Sequence, residues 1–265
     1  MNALRHGDRG QAVLNLQKAL NAHGARLLAD GHFGDLTETA LRAYQTGTGL
    51  VPDGIAGRKT LGTLAGQDNR HLLGLKDLQA AATRLDLPLA TVLAVNAVES
   101  QGDGFLDNGK PVILFERHVM HRQLGDARAA ELASKYPNLV NRQPGGYAGG
   151  SAEHNRLAMA RQLDDSAAIE SASWGLFQIL GMHWQLLGYA SPQAFAERIA
   201  ASEAEQLHAF VLYIEAHPEL HKALKARKWA QFAQGYNGPG YARNLYDAKL
   251  AEAYERFSTK PKAAA

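Results

Sequence analysis

Two glutamates stand where acids are least at home. Glu99 closes the apolar run PLATVLAVNAVE, and Glu116 closes a second one, PVILFE. A carboxyl group held against an apolar face has its ionised form disfavoured, so its pKa climbs toward neutrality, which is the property a general acid needs. On a helix, Glu99 shares its face with Val92, Val95 and Asn96. Two carboxyl groups flanking a cleft are the machinery of glycosidic bond cleavage, one protonating the leaving oxygen and the other acting from the opposite side. Taken alone, a helix-terminal glutamate is also an ordinary surface residue, and Arg117 offers Glu116 a salt bridge. Both readings stay open on these two residues.

The elements that must position the acids are legible around them. Pro88 suits the first turn of a helix, and LATVLAVNAVE continues it without a breaker. After Glu99 the chain meets Ser100, Gly102 and Gly104, and GFLDNGKPVILFERH reads as two strands around Asp107, Asn108 and Gly109, because Asn-Gly is a hairpin signal. A strand-end Glu116 would then face Glu99 across a cleft. Asp103 and Glu170 compete for the second acidic role but read as surface or capping groups. The glycine-rich stretch NRQPGGYAGGS, with Tyr147 between its glycine pairs, reads either as a mobile loop over the cleft or as a long connection. His118 and His121 share a helix face near Glu116, yet there is no HExxH arrangement and no third ligand cluster. No metal and no cofactor are expected.

Composition narrows the classes. A chain of 265 residues is long enough for two domains, and 46% apolar with 20% charged residues describes a globular protein. With 28 basic against 26 acidic residues, nothing in the charge favours nucleic acid as a partner. Cysteine is absent, which excludes disulfides and a thiol nucleophile. No apolar run approaches the length of a bilayer span, so no stable membrane insertion is expected, and MNALRHGDRGQAV lacks the apolar core of a secretory signal.

The first quarter of the chain repeats itself. Asp30, Gly31, Gly34, Thr37 and Leu41 recur 23 positions later as Asp53, Gly54, Gly57, Thr60 and Leu64. Each copy reads as a turn followed by a short helix. VLNLQKAL places Val13, Leu16, Gln17 and Leu20 at helical spacing ahead of them, and ETALRAYQ places Leu41, Tyr44 and Gln45 on another helix. A compact three-helix unit follows. AGQDNRH then reads as a linker, and the final KPKAAA as a solvated tail.

LRHGDRGQAVLNLQKALNAHG, DGHFGDLTETALRAYQ and VPDGIAGRKTLGTL, taken in order, resemble the type 1 peptidoglycan-binding domain. The resemblance implies attachment to the cell wall. Asp30, Phe33 and Gln45 are its candidate contacts, although each can equally cap or pack. Further on, SASWGLFQILG is similar to the serine, glycine, leucine and glutamine motif of goose-type lysozymes and soluble lytic transglycosylases, and GYNGPGYARNLY resembles their tyrosine-asparagine segment. The closer resemblance is to the N-acetylmuramidase domain of modular phage endolysins, to which GKPVILFERH and NRLAMARQLDDSAAIESASWGLFQI also correspond.

What that resemblance implies is specific. Glu99 matches the catalytic acid. Ser173, Gly175 and Gln178 match the segment lining the sugar cleft, Trp174 offers a flat surface for a sugar ring, and Tyr236 and Asn237 match the pair near the acid. Glu116 matches a residue of the endolysin segment and is the candidate base. The implied fold is mainly α (α+β): residues 1–66 form a three-helix peptidoglycan-binding module, 67–74 a linker, and 75–265 a lysozyme-like catalytic domain with a small β-hairpin. The implied function is hydrolysis of the β-1,4 bond between N-acetylmuramic acid and N-acetylglucosamine. A lytic transglycosylase and a non-catalytic wall-binding protein are the alternatives. Peptidoglycan is the expected partner of a monomer that depends on a holin to pass from the host cytoplasm to the periplasm.

Overall fold

The echo in the first quarter is a duplicated hydrogen-bond cage. In the computed structural model, which describes residues 3–100 and 103–258, helices α1 (Gln11–Ala22), α2 (Asp35–Gly47) and α3 (Arg58–Leu64) carry the repeat. The Gln17 amide on α1 donates to Asp30 Oδ1 at 2.9 Å, the His32 carbonyl at 3.0 Å and Thr37 Oγ1 at 3.1 Å, and accepts from the Gly31 N–H at 2.9 Å. Gln45 on α2 does the same one repeat later, donating to Asp53 Oδ1 at 2.8 Å, the Ile55 carbonyl at 3.0 Å and Thr60 Oγ1 at 3.1 Å, and accepting from the Gly54 N–H at 3.0 Å. Each glutamine therefore satisfies the backbone of a sharp turn and the side chains at both its ends.

The two copies differ in solvent exposure. The Gln17 amide and the His32 N–H hold the exposed Asp30 carboxyl below its usual range. Burial pushes Asp53 above it, against the same set of bonds. Gln45→Ala should therefore destabilise the protein more than Gln17→Ala. Each change strands polar groups that had partners, at roughly 1–3 kcal/mol, and water reaches the Asp30 turn more readily. Thermal melts of both variants check the order, and equal losses would show that exposure does not distinguish the two cages.

Around this cage the helices bury Val13, Leu16, Leu20, Phe33, Leu41 and Ala56. Phe33 is 0% and Gln45 1% exposed. Two of the three proposed wall contacts are thus corrected: Phe33 fills the core and Gln45 braces a turn from inside. The segment read as a linker is tied down, since Asn69 donates to the Thr48 carbonyl at 3.4 Å and Gly74 forms an antiparallel bridge with Leu50. It leads into α4 (Leu75–Arg84) and α5 (Leu89–Glu99). By contacts, the chain divides into two units at Ala94/Val95 and again at Leu250/Ala251.

The second unit is helical around a three-stranded antiparallel sheet. Its strands are β1 (Ile113–Phe115), β2 (Ala172–Trp174) and β3 (Ile179–Leu180), in the order β1-β2-β3, with Leu114 opposite Ser173 and Trp174 opposite Ile179. Between the strands come α6 (Arg117–Leu124), α7 (Asp126–Lys135), α8 (Ala152–Leu163) and α9 (Asp165–Glu170). After them follow α10 (Pro192–Ile199), α11 (Glu203–Ala216), α12 (Pro218–Lys225), α13 (Trp229–Asn237) and α14 (Tyr246–Ser258), of which the residues from Ala251 on belong to the first unit. Phe115, Met120, Ile169, Phe195, Phe210 and Phe232 are its largest fully buried side chains.

The hairpin expected at the Asn-Gly turn is corrected in position. That turn forms, with Gly109 at φ 76°, but supports only an isolated bridge between Phe105 and Pro111. The strand after it pairs with β2 instead, and the true hairpin is β2–β3. Gly102 and the KPKAAA tail lie outside the described residues.

Candidate active site

Helix α5 delivers Glu99 at its C-terminal end, only 7% exposed, into a cleft of about 190 Å³. Phe177, Gln178, His183, Tyr213, Tyr236, Asn237 and Tyr246 are among the residues lining it. The Asn237 amide, at the end of α13, donates to Glu99 Oε1 at 3.1 Å. Burial raises the carboxyl to about 7, and the Asn237 bond only partly opposes it. Near neutral pH the group therefore exists substantially as the acid, with a proton to give.

One wall of the cleft is an aromatic stack. Tyr236 lies parallel to Phe232 at 5.4 Å between centroids and meets Phe210 and Tyr213 edge-on at 5.6 and 5.9 Å. Its hydroxyl donates to the Phe177 carbonyl at 2.8 Å. Burial, with Glu99 and Tyr213 nearby, keeps the phenol protonated well above its ordinary range. Tyr236 thus clamps the turn that carries Gln178 while its neighbour Asn237 reaches the acid.

The other wall is the β2–β3 turn. Ser173 Oγ donates to Gln178 Oε1 at 2.8 Å and Gln178 Nε2 donates to the Gly175 carbonyl at 2.8 Å. Gln178 adopts φ 51°, a left-handed conformation that costs a side-chain-bearing residue roughly 1–3 kcal/mol and persists where surroundings enforce it. Gly175, at φ 71°, has no room for a side chain: a Cβ there would lie 2.6 Å from the side chain of Gln206. Its own N–H donates to the Val112 carbonyl at 2.7 Å, so this glycine serves the backbone.

Sequence reasoning missed the residues that hold this turn. Gln206 on α11, 1% exposed, accepts from the Leu176 N–H at 2.7 Å and donates to the carbonyls of Gly104 at 3.3 Å and Ile199 at 3.1 Å. Glu203, one turn earlier and fully buried, accepts from the Gly104 N–H at 2.8 Å. Together they bind the segment that follows Glu99 to the turn that carries Gln178. Their signal was visible in SEAEQLHAFVL, where Glu203 and Gln206 share a helical face with Phe210.

The remaining candidates fall elsewhere. Trp174 is 5% exposed, donates to the Ile169 carbonyl at 3.1 Å and packs edge-on against Phe195 at 6.4 Å, so it is core and presents no face to a sugar. Glu116 does not line the cleft. Its Oε2 accepts from the Tyr147 hydroxyl at 2.9 Å and meets His118 Nδ1 at 3.2 Å, while Arg117 turns to the carbonyls of Gln143 and Pro144. The glycine-rich stretch is therefore laid over Glu116. Glu170 is spent on Gln123 and Trp184, and Asp103 is not among the lining residues. His121 is buried and receives the Arg142 Nε–H at 3.4 Å. Among the described residues no three His, Asp or Glu side chains converge in the manner of a metal site. In the repeat module, exposed Asp30 lines a shallow hollow with Arg9, Gln11, Leu14 and His32.

Known proteins match both parts of the chain. The N-acetylmuramidase family profile matches residues 88–258, and the peptidoglycan binding domain profile matches residues 9–64. The crystal structure of the Burkholderia AP3 phage endolysin superposes with a TM-score of 0.93 at 53% identity, covering 97% of this chain and 99% of that one. The zinc D-Ala-D-Ala carboxypeptidase of Streptomyces albus G is 42% identical over 60 residues, which are 22% of this chain and 24% of that protein. The chain thus spans about a quarter of the length of this curated relative.

Proposed function

This chain belongs to the N-acetylmuramidase family, and from that premise we propose that Glu99 is the general acid of a peptidoglycan hydrolase cutting between N-acetylmuramic acid and N-acetylglucosamine. The observation that carries the reading is the carboxyl itself: nearly buried, bonded on one oxygen to Asn237, and raised to about 7 in a cleft lined by aromatic and amide side chains. The proton on Glu99 goes to the glycosidic oxygen as the bond to the anomeric carbon breaks. Positive charge develops on the muramic acid ring, the oxygen of water bonds to the anomeric carbon, and the proton that this water gives up restores, by way of solvent, the acid form of Glu99. Gln178 and Asn237 offer amides to the bound glycan. Ser173 and Tyr236 act one step back, the first fixing the Gln178 amide and the second the Phe177 carbonyl.

Residues 1–66 serve as the wall-binding module, with 67–74 leading into a catalytic part over 75–265. Attachment raises the local concentration of the enzyme on its insoluble substrate. Asp30 and the hollow around it form the contact face, since the other two candidates are buried. The similarity to a phage endolysin supports a role in host lysis. The proposal adds a monomer that a holin releases from the cytoplasm to the periplasm.

The test is the chemistry of the cut ends. Purified sacculi digested with the full chain and weighed by mass spectrometry are expected to give muropeptides with ordinary reducing ends. Predominantly anhydro products, lighter by one water, would identify a transglycosylase. Intact glycan would remove the enzymatic reading altogether.

A further inference from the structure

Glu99 is the carboxylate among the described residues that line the cleft. A hydrolase that inverts the sugar needs a second group to take a proton from water. Resting on the hydrolytic reading above, we infer that His183 is that group: its imidazole accepts the proton of the attacking water while Glu99 protonates the leaving oxygen.

Geometry supports this in three ways. His183 closes the short helical turn Gly181–His183 directly after β3 and lines the same cleft as Glu99. Its ring is held edge-on by Tyr213 at 5.1 Å and by His217 at 6.4 Å, contacts to ring faces and edges that occupy neither nitrogen with a hydrogen bond. His217 is itself pinned, its Nδ1 2.7 Å from the Tyr213 carbonyl. The turn is also rigid at its root. A side chain at Gly181 would collide with the Ile169 carbonyl, so the backbone of this turn sits hard against the end of α9.

The charge state suits the role. Burial, followed by the neighbouring His217, lowers the His183 pKa, so the ring is neutral and able to accept a proton near pH 7. Tyr213 on α11 and His217, between α11 and α12, contact the ring, and Glu99, Tyr236 and Tyr246 are the other titratable groups lining the same cleft. On α9, Glu170 is engaged by Gln123 and Trp184, and on α10, Glu197 and Arg198 are exposed. The atoms balance. Water's oxygen bonds to the anomeric carbon and one of its protons passes to His183, as the Glu99 proton passes to the departing sugar hydroxyl. Solvent then returns a proton from the imidazolium side to the Glu99 carboxylate.

Acting as base, His183 sets the acidic limb of the pH profile and Glu99 the alkaline one. His183→Gln in the full chain should lower kcat about 10²-fold with KM on solubilised peptidoglycan within a few-fold, and should abolish the acidic limb while leaving the alkaline one. His183→Ala should regain at least about tenfold when imidazole is added, which no merely structural defect would allow. A kcat within about threefold of wild type overturns the assignment, and so does a loss of activity with the acidic limb intact and no imidazole rescue. If either variant fails to fold, nitrogen-15 NMR of the wild-type ring decides: neutrality persisting below pH 6.5 supports the role, and protonation at pH 7 overturns it. Anhydro ends from wild type would overturn the hydrolytic reading itself. Reducing ends with an unaffected His183→Gln overturn His183 alone.

Discussion

Glu99→Gln is expected to lower turnover of sacculi by about 10³-fold or more, within the range that positioned acid catalysis supplies, while the protein folds normally. Glutamine keeps the shape of the side chain and can keep a contact with Asn237, so the cleft survives and only the proton donor is lost. A second readout comes from linkage. The folded-state pKa, about 7, lies above the ordinary glutamate value, so ionisation is disfavoured by folding. Stability from this group is complete below the unfolded pKa and is lost as pH rises toward the folded one. Wild type should therefore weaken between roughly pH 4.5 and 7 by up to about 3 kcal/mol, at 1.4 kcal/mol per pH unit of displacement. Glutamine does not ionise, so the variant should match wild type in stability near pH 4 and exceed it near pH 8. Turnover near normal would take Glu99 out of the mechanism. Melting curves that stay parallel with pH would show instead that the carboxyl is not held protonated.

Why Glu99 was legible and Glu116 was not is a matter of range. The acid's burial follows from its own helix, where apolar residues recur on one face, and local periodicity reports that. Placing Glu116 across the cleft required β1 to pair with the segment just before it. It pairs with β2, so that Leu114 lies against Ser173, 59 positions along the chain. Such pairing leaves no mark in a local pattern. His183 escaped for the same reason: Tyr213 and His217 reach it from helices that follow much later. The repeat module shows the opposite case. Its turns and helices were visible in the 23-residue echo, and the role of Gln17 and Gln45 was hidden only because a glutamine among apolar residues can brace a turn from inside or touch a ligand from outside. Trp174 posed the same ambiguity, and burial resolved it against the sugar.

The largest expected loss of stability is at Glu153. This carboxylate, fully buried at the start of α8, accepts from the backbone N–H groups of Phe115 at 3.0 Å and Gly149 at 3.0 Å, from that of Ala148, and from Arg156 Nη1 at 2.7 Å. Arg156 in turn donates to the carbonyls of Phe115 at 3.0 Å and Asn138 at 2.8 Å, and lies 5.1 Å over the Phe115 ring. One ion pair thus fixes the end of β1 and the glycine-rich stretch that carries Tyr147 to Glu116. Glu153→Ala leaves a buried guanidinium without its counter-charge and strands those N–H groups. A cost of about 3–5 kcal/mol follows, enough to unfold a marginal domain. Glu153→Gln restores part of the hydrogen bonding without the charge and should lose less. The pH dependence separates charge from packing. Burial raises the Glu153 pKa, but the N–H groups of Gly149, Phe115 and Ala148, with Arg156, together bring it below its ordinary value. Its contribution is therefore present above the unfolded carboxyl pKa and is lost as pH falls through the folded one. Denaturant melts at pH 7 and at a series of pH values falling from 4.5 should show wild type and Glu153→Gln converging progressively in acid. A gap of constant size would mean that shape, and not charge, is what Glu153 contributes. Because neither Glu153 nor Arg156 lines the cleft, activity measured well below the melting temperature should persist in Glu153→Gln, which assigns this pair to the scaffold of the cleft and leaves the chemistry to the groups inside it.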